Sequence, residues 1–547
     1  GTPREAMTAY GTLTGLPIFP PEWVFEPWAG GGGGRWRNGP LQDIALEQMA
    51  AMKKFHELDI PHSGFYAEGA GATFYGEYKK EELYKVVSFG ERHGFKVFSW
   101  QFPNMTQELA QELLPECPKE ELPITRNKND EEEKLPVYID FSHPRAKELL
   151  AAQWKDRMDA GIRGSMVDFG DVVPDEAVFY DGRRGDEMHN AYAYQYAKNY
   201  RELFEQKYGD DHVLYTRGAA PGSQHFACQF GGDQLTSFQG LKYAIAGGLS
   251  AAASGLPFWG VDAGGYDGFP DQETYLRWTE YAAFCPLMRF HGTEPREPWE
   301  YDAFTVKVYR YYTWLRENLR PYIVSVAAEA HKLGIPMMRP LAMMYPEDQE
   351  ATKVWDEYLF GEDLLVAPVS DETEEREIYF PEGRWISLWN LNDEISGPVQ
   401  RSVEVPIDKI PVYIREGSFL PLRLNESLKL GESMSESETE MILAVVPQND
   451  SIVKETLYER SGAKTCCGME KNGETIQLQI SGRTAELYVM LAGIHWKSTE
   501  AIVNGRTLTK VTAREGLYFT EGYLELEEGI LVKINPSAES VIKIQKK

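Results

Sequence analysis

From residue 20 to about 330, short apolar runs alternate with longer stretches whose apolar positions recur at helical spacing. The runs are Val24–Trp28, Ser63–Ala67, Phe95–Trp100, Ser165–Phe169, Val213–Arg217, Cys228–Asp233, Leu256–Asp262 and Pro286–His291. Between them, Leu41–Leu58, Lys80–His93, Pro144–Ala160, His189–Tyr208 and Gln239–Ser254 read as helices. Each run is apolar on both faces, as in a parallel strand covered by helices. Eight such units predict an α/β fold, a (β/α)8 barrel. A doubly wound open sheet usually has fewer strands, and no GxGxxG opens a helix here. The glycine run at 30–34 leads into Arg35 and Trp36 in a polar stretch and reads as a loop. Residues 2–16 predict a short helix, with Thr2 as N-cap, Pro3 at the first position, Glu5 in the first turn and Gly15 as its stop.

After residue 335 the spacing shortens. Lys353–Phe360, Leu364–Pro368, Arg376–Phe380, Trp385–Leu388, Val403–Pro406 and Val412–Arg415 read as strands of a β-sandwich. The polar stretch Asn425–Glu440 then leads to a second β-rich unit, Met441–Lys547. The expected organisation is a linking helix at 1–19, a barrel at 20–334, a proximal β-sandwich at 335–425 and a distal β domain at 426–547. The charged insert Asn127–Lys134 reads as a solvated loop, with a part in a lid as the alternative.

Composition narrows the partners. The chain carries 56 Lys and Arg against 84 Asp and Glu, a net charge of −28, which repels nucleic acid and anionic membranes. Its aromatic residues, 12% of the chain, suit a core and equally a pocket that stacks flat apolar faces such as sugar rings. Five scattered cysteines form neither a disulfide framework nor a zinc spacing, which points to a reducing, cytoplasmic compartment. No apolar run reaches membrane-spanning length, and no signal peptide is evident. The sequence begins at Gly1 without Met, so processing of an earlier segment is left open.

In a barrel the site lies at the carboxyl ends of the strands. There this sequence places Asp168 after the fourth strand, Arg217 after the fifth, Asp233 after the sixth, Asp262 after the seventh and His291 after the eighth. One Asp at a strand end is ordinarily a helix cap. Three of them beside Trp and Gly suggest a sugar pocket, because two carboxylates on opposite walls suffice for glycoside hydrolysis.

The segments that carry these residues are specific together. Gly164–Gly170, Thr216–Gln224, Phe230–Gln234, Gly255–Tyr266, Arg289–Trp299, Met338–Pro340 and Phe360–Pro368 resemble glycoside hydrolase family 31, the retaining α-glucosidases, α-xylosidases and their relatives. The resemblance covers residues 1 to about 425. It implies that Asp168 is the nucleophile, forming a covalent glycosyl-enzyme, and Asp233 the acid/base. Arg217, Trp259, Asp262 and His291 then line the terminal sugar subsite, with Trp28, Tyr66, Glu68, Trp100, Phe230 and Tyr266 as further candidates. Asp168 is expected to stay ionised beside Arg217, and Asp233 to be protonated in an apolar surround. No cofactor or metal is expected. The implied activity is that of a retaining exo-α-glycosidase acting on small carbohydrates, and a homo-oligomer is left open.

Two departures bear on substrate. The family's second strand usually ends in acidic and Trp residues; here it ends in Gly64-Phe65-Tyr66-Ala67-Glu68-Gly69-Ala70-Gly71, which opens space around one sugar hydroxyl and leaves Glu68 as a substitute acceptor. Met188-His189-Asn190, Gly222-Ser223-Gln224 and Tyr266 lean toward the sulfoquinovosidase branch, but that branch's Arg and Trp sulfonate clamp has only Arg35 and Trp36 as a weak counterpart. The alternatives are therefore a sulfoquinovosidase-like enzyme, a sugar-binding relative without turnover, and a transglycosylase. Members of the family also usually carry a β-sandwich ahead of the barrel, so such a domain is expected upstream, or the pocket is more open.

Overall fold

A computed structural model of the chain describes residues 1–31, 41–67, 69–71, 78–126, 137–435, 440–449, 451–483, 485–496, 498–518 and 520–547. It divides into two compact units. One comprises Ala6–Lys307 with His331–Ile335. The other comprises Gly1–Glu5, Val308–Ala330 and Pro336–Lys547.

The first unit is a closed barrel of eight parallel strands: β1 (Trp28–Gly31), β2 (Gly64–Ala67), β3 (Lys96–Gln101), β4 (Gly164–Val167), β5 (Val213–Thr216), β6 (Cys228–Phe230), β7 (Trp259–Asp262) and β8 (Leu287–Arg289). Each strand pairs with its sequence neighbours, and β1 closes on β8 through Trp28 opposite Arg289. The helices Leu41–Glu57, Lys80–Arg92, Ala146–Ala160, Gly185–Tyr208, Phe238–Ala253 and Gln272–Ala283 alternate with the strands. Local chemistry sets their starts: Ser237 accepts from the Gly240 N–H at 3.1 Å, and Asp271 from the Thr274 N–H at 2.8 Å.

The first apolar run folds differently from the expectation. Val24 and Phe25 belong to a 3₁₀ turn, Glu22–Phe25, and the strand starts only at Trp28. Pro21 presets the turn, and Pro27 has no N–H to give to a ladder. Strand residues alternate between the barrel interior and the helices. Inside, Phe98 packs edge to face with Trp28 and Tyr215, which are tilted against each other, with ring centroids 5.0–5.9 Å apart, and the three form the floor.

In the second unit a six-stranded sheet contains Met338–Pro340, Tyr358–Phe360, Leu364–Val366, Glu375–Ser387, Glu394–Glu404 and Val412–Arg415. Two further sheets, of five and six strands, share one core built from residues such as Leu443, Leu478, Val489, Val532 and Ile544. Two segments group differently from the expected division. Phe419–Leu424, expected in the proximal domain, pairs with Glu440–Val445 in the five-stranded sheet. Val308–Ala330, expected in the barrel, groups with the C-terminal sheets, where Tyr322 donates its hydroxyl to the Phe360 carbonyl at 2.6 Å. Among the described residues no helix is long and apolar enough to cross a membrane.

Candidate active site

Asp168 directly follows β4. Its N–H donates to the Gln101 carbonyl at 2.8 Å, which extends the β3–β4 ladder by one residue. The chain then turns sharply: Phe169 has φ of 54°, a left-handed conformation that costs a side-chain-bearing residue roughly 1–3 kcal/mol. The turn brings the Phe169 N–H to 2.9 Å from Asp168 Oδ1, and Trp100, near the end of β3, donates Nε1–H to Oδ2 at 3.0 Å. Both carboxylate oxygens are thus held before any ligand arrives.

Arg217 follows β5 and gathers the acids. Its Nε lies 3.4 Å from Asp168 Oδ1 and 3.7 Å from Asp171 Oδ1, and its Nη1 lies 3.8 Å from Asp233 Oδ1. The guanidinium also sits 4.1 Å over the Phe169 ring, which explains why the strained residue is aromatic. One side chain therefore bridges the acids that follow β4 and β6. Gly232 makes the approach possible. It has φ of 74°, and a Cβ there would stand 2.9 Å from Arg217 Cδ.

Arg217 stands beside Asp168 as expected, whereas the surround of Asp233 differs from the expectation. Asp168 is 5% exposed, and burial pushes its carboxyl above the usual range; Arg217, the Trp100 N–H and the Phe169 N–H pull against that push. The Asp233 side chain is 53% exposed and faces a guanidinium, so its surround is neither apolar nor closed. The local sequence around each Asp carries no information on this, because burial is set by the other strands.

The opposite wall is built by β7, β8 and their loops. Asp262 is buried in an ion pair with Arg289. Burial pushes the Asp262 carboxyl upward, and Arg289 opposes it. Arg289 lies between the rings of Tyr215 and Phe230, at 4.9 and 5.0 Å, and donates to the Tyr215 hydroxyl at 3.4 Å. His291 packs between Tyr66 and Tyr266, with ring centroids 4.4 and 5.5 Å away. Asp168, Asp233, Arg217 and Trp100 thus meet around one group of contacts. Asp262 and Phe230 meet around Arg289, and Tyr66 and Tyr266 around His291.

Two placements differ from the expectation, and others lie outside the described residues. Trp28 was expected to end its strand and floor the pocket or pack in the core; it begins β1 and lies fully buried. Trp259 was expected against a sugar face. It has the opposite parity to Asp262 along β7 and turns toward the helix Phe238–Ala253, where a Cβ on Gly248 would stand 2.8 Å from its indole nitrogen. Its far edge backs Gly231, so it supports the Asp233 loop from behind. Glu68, with Arg35, Trp36 and the 127–134 insert, lies outside the described residues. The sequence also left three contributors unassigned: Arg289, Asp171 and Gln234, whose side-chain oxygen accepts from the Asp262 N–H at 3.3 Å. A cation directly before Phe290-His291 was the available signal for Arg289, since a buried Asp262 requires a partner.

Residues 18–326 match the model of the glycosyl hydrolases family 31 TIM-barrel domain, and residues 334–420 that of the family's C-terminal domain. The chain belongs to glycoside hydrolase family 31. Among its relatives, an isomaltosyltransferase of Sporosarcina globispora is 28% identical over 98% of this chain and 54% of its own length. A 1,3-alpha-isomaltosidase of Kribbella flavida is 33% identical over 77% of this chain and 64% of its own length. The chain therefore spans between about half and two thirds of the length of these relatives. The cycloalternan-forming enzyme of Listeria monocytogenes, solved with a pentasaccharide substrate, shares the fold across 100% of this chain and 56% of its own, with a TM-score of 0.88 at 23% identity.

Proposed function

We propose that this chain carries the catalytic part of a retaining exo-α-glycosidase. The observation that supports the reading best is the bridging of Asp168 and Asp233 by one guanidinium at the carboxyl ends of β4 and β6. Asp168, held by Trp100 and the Phe169 N–H, is oriented to attack an anomeric carbon. As the new C–O bond forms, the glycosidic C–O bond breaks, and Asp233 gives its proton to the departing oxygen. Water then enters on the exposed side of Asp233, loses a proton to it, and attacks the anomeric carbon; the Asp168 carboxylate leaves. Buried Asp262–Arg289 and His291 would fix the sugar on the opposite wall. A reducing, cytoplasmic compartment is proposed from the scattered cysteine spacing of the sequence.

A second reading shares the covalent intermediate and differs in the acceptor. It is favoured by the relative that matches 98% of this chain, a transferase by name, and by the open side of Asp233. A panel of p-nitrophenyl α-glycosides, followed for release of nitrophenol and of free or transferred sugar, tests both. Release that disappears in Asp168→Asn supports the assignment. Release that survives in that variant, or none from the folded wild-type protein, removes it. Transfer products in excess of free sugar favour the second reading.

A further inference from the structure

Asp233 poses a positioning problem. Its side chain is half exposed, and its ion-pair distance to Arg217, 3.8 Å, is too long for a hydrogen bond to fix it. A general acid placed about 1 Å away from its working geometry loses on the order of 100-fold in rate. What holds Asp233 must therefore lie largely in the main chain that carries it.

The two residues after it are zipped to the turn that follows β7. The Tyr266 N–H donates to the Gln234 carbonyl at 2.8 Å, Leu235 bridges to Asp267, and Gln234 Oε1 accepts from the Asp262 N–H. Gly265, with φ of 80°, presses against this segment so closely that a Cβ would stand 2.5 Å from Thr236 Cα. Arg296, from the loop after β8, fastens this turn. Arg296, 2% exposed, makes six hydrogen bonds to five main-chain carbonyls. Nε and Nη2 both donate to Gly265, at 3.1 and 2.7 Å. Nη2 also donates to Tyr266 at 3.2 Å and to Gly268 at 2.8 Å. Nη1 donates to Glu294 at 3.0 Å and to Pro295 at 3.2 Å. The guanidinium thus ties the loop after β8 to the turn after β7, and that turn is tied to the loop bearing Asp233. It fills the space so closely that a Cβ on Gly292 would stand 2.5 Å from it.

We propose that Arg296 is a positioning residue for the acid/base, acting through the Gly264–Gly268 turn on the main chain next to Asp233. The inference rests on the glycosidase reading above. A Lys at this position keeps the charge but lacks the planar fork that reaches five carbonyls at once. The turn then shifts, Asp233 moves, and proton delivery to the leaving oxygen suffers, while the Asp168 side of the site, built on β3, β4 and β5, is untouched.

The test uses Arg296→Lys and compares kcat/KM, which reports bond cleavage up to the covalent intermediate, for two probes. One is the methyl α-glycoside of the sugar that the wild-type chain releases fastest, whose methanol needs a proton to leave. The other is the matching α-glycosyl fluoride, whose fluoride leaves with little help from an acid. The expected result is a loss of roughly 100-fold on the methyl glycoside, with the fluoride changed by less than about fivefold. The expected kcat for the fluoride also falls, because Asp233 activates water in the second step, and azide restores it. Equal losses on both probes, or no loss on either, overturn the proposal. If Arg296→Lys does not fold, Thr293→Val decides. It removes the hydroxyl that accepts from the Gly268 N–H at 2.9 Å in the same turn, and a smaller loss with the same selectivity for the methyl glycoside is expected. A uniform loss or none in that variant refutes the inference. A wild-type chain inactive on both probes instead overturns the glycosidase reading itself.

Discussion

Replacing Arg217 with Met separates the charge of this residue from its bulk. The methylene stem is kept, so contact with the Phe169 ring survives in part, and the guanidinium that faces Asp168 is lost. At 3.4 Å and an effective dielectric constant near 20, the interaction of two unit charges is about 5 kcal/mol. Water on the Asp233 side, where that acid is half exposed, screens it to roughly half. At 1.36 kcal/mol per pKa unit this is about 2 units, inside the usual range for an Asp beside an Arg. Burial already pushes the Asp168 carboxyl up, and Arg217 opposes it, so removing Arg217 moves it further in the same direction. Asp168 must be ionised to attack, and a higher pKa therefore removes activity from the acid side first. The expected outcome is an acidic limb of the kcat/KM profile displaced upward by about 2 units, with much of the loss recovered at higher pH. An effect on sugar binding alone would lower kcat/KM at every pH. An acidic limb that stays at its wild-type position would refute the role of Arg217 as the charge that keeps Asp168 ionised.

Trp100→Phe deletes the 3.0 Å hydrogen bond to Asp168 Oδ2, a bond to a charged group worth about 1.5–3 kcal/mol; it should move the same acidic limb upward, and an unchanged pH profile counts against the bond. Gly232→Ala forces a side chain into φ of 74° and against Arg217 Cδ, at a cost of about 1–2 kcal/mol, so calorimetry should show a lower melting temperature and the methyl glycoside a lower kcat/KM. His212 is buried, gives Nδ1–H to the Gly209 carbonyl, and is pushed down to about 4, chiefly by desolvation. Its folded pKa lies below its unfolded value of 6.5, so its contribution is complete above 6.5 and is lost as the pH falls toward 4, by roughly 3 kcal/mol in total. Urea midpoints measured from pH 7 to 4 should therefore fall less steeply in His212→Asn, and parallel curves would remove this residue from the acid response.

The strand count and barrel closure were legible because parallel strands buried on both faces read as apolar runs, and helices between them announce themselves by period and cap. Ser237 and Asp271 cap as their residue types dictate. Other features depend on neighbours distant in sequence. Val24 and Phe25 are as apolar as a strand, and only the flanking prolines divert them into a 3₁₀ turn. Arg376–Phe380 and Trp385–Leu388 read as two strands but largely form one, Glu375–Ser387, with a register shift between Phe380 and Gly383. Its partner, Glu394–Glu404, lies largely exposed and has almost no apolar signal. In the site, position after a strand was legible and direction was not. Trp259 and Asp262 sit three residues apart on one short strand and therefore face opposite ways. The pairing of Asp262 with Arg289 exists only once β7 and β8 are side by side, and the exposure of Asp233 follows from loops whose path a motif does not specify.

Retention of configuration requires Asp168 to bond to the sugar. A 5-fluoro glycosyl fluoride, made on the sugar released fastest in the panel, slows both steps and lets the covalent intermediate accumulate. Intact-protein and peptide mass spectrometry should then find one fluoroglycosyl group on the peptide that contains Asp168, absent from the Asp168→Asn protein. A label on another carboxylate, or turnover of the unfluorinated fluoride with inversion at the anomeric carbon and no label at all, would contradict the account.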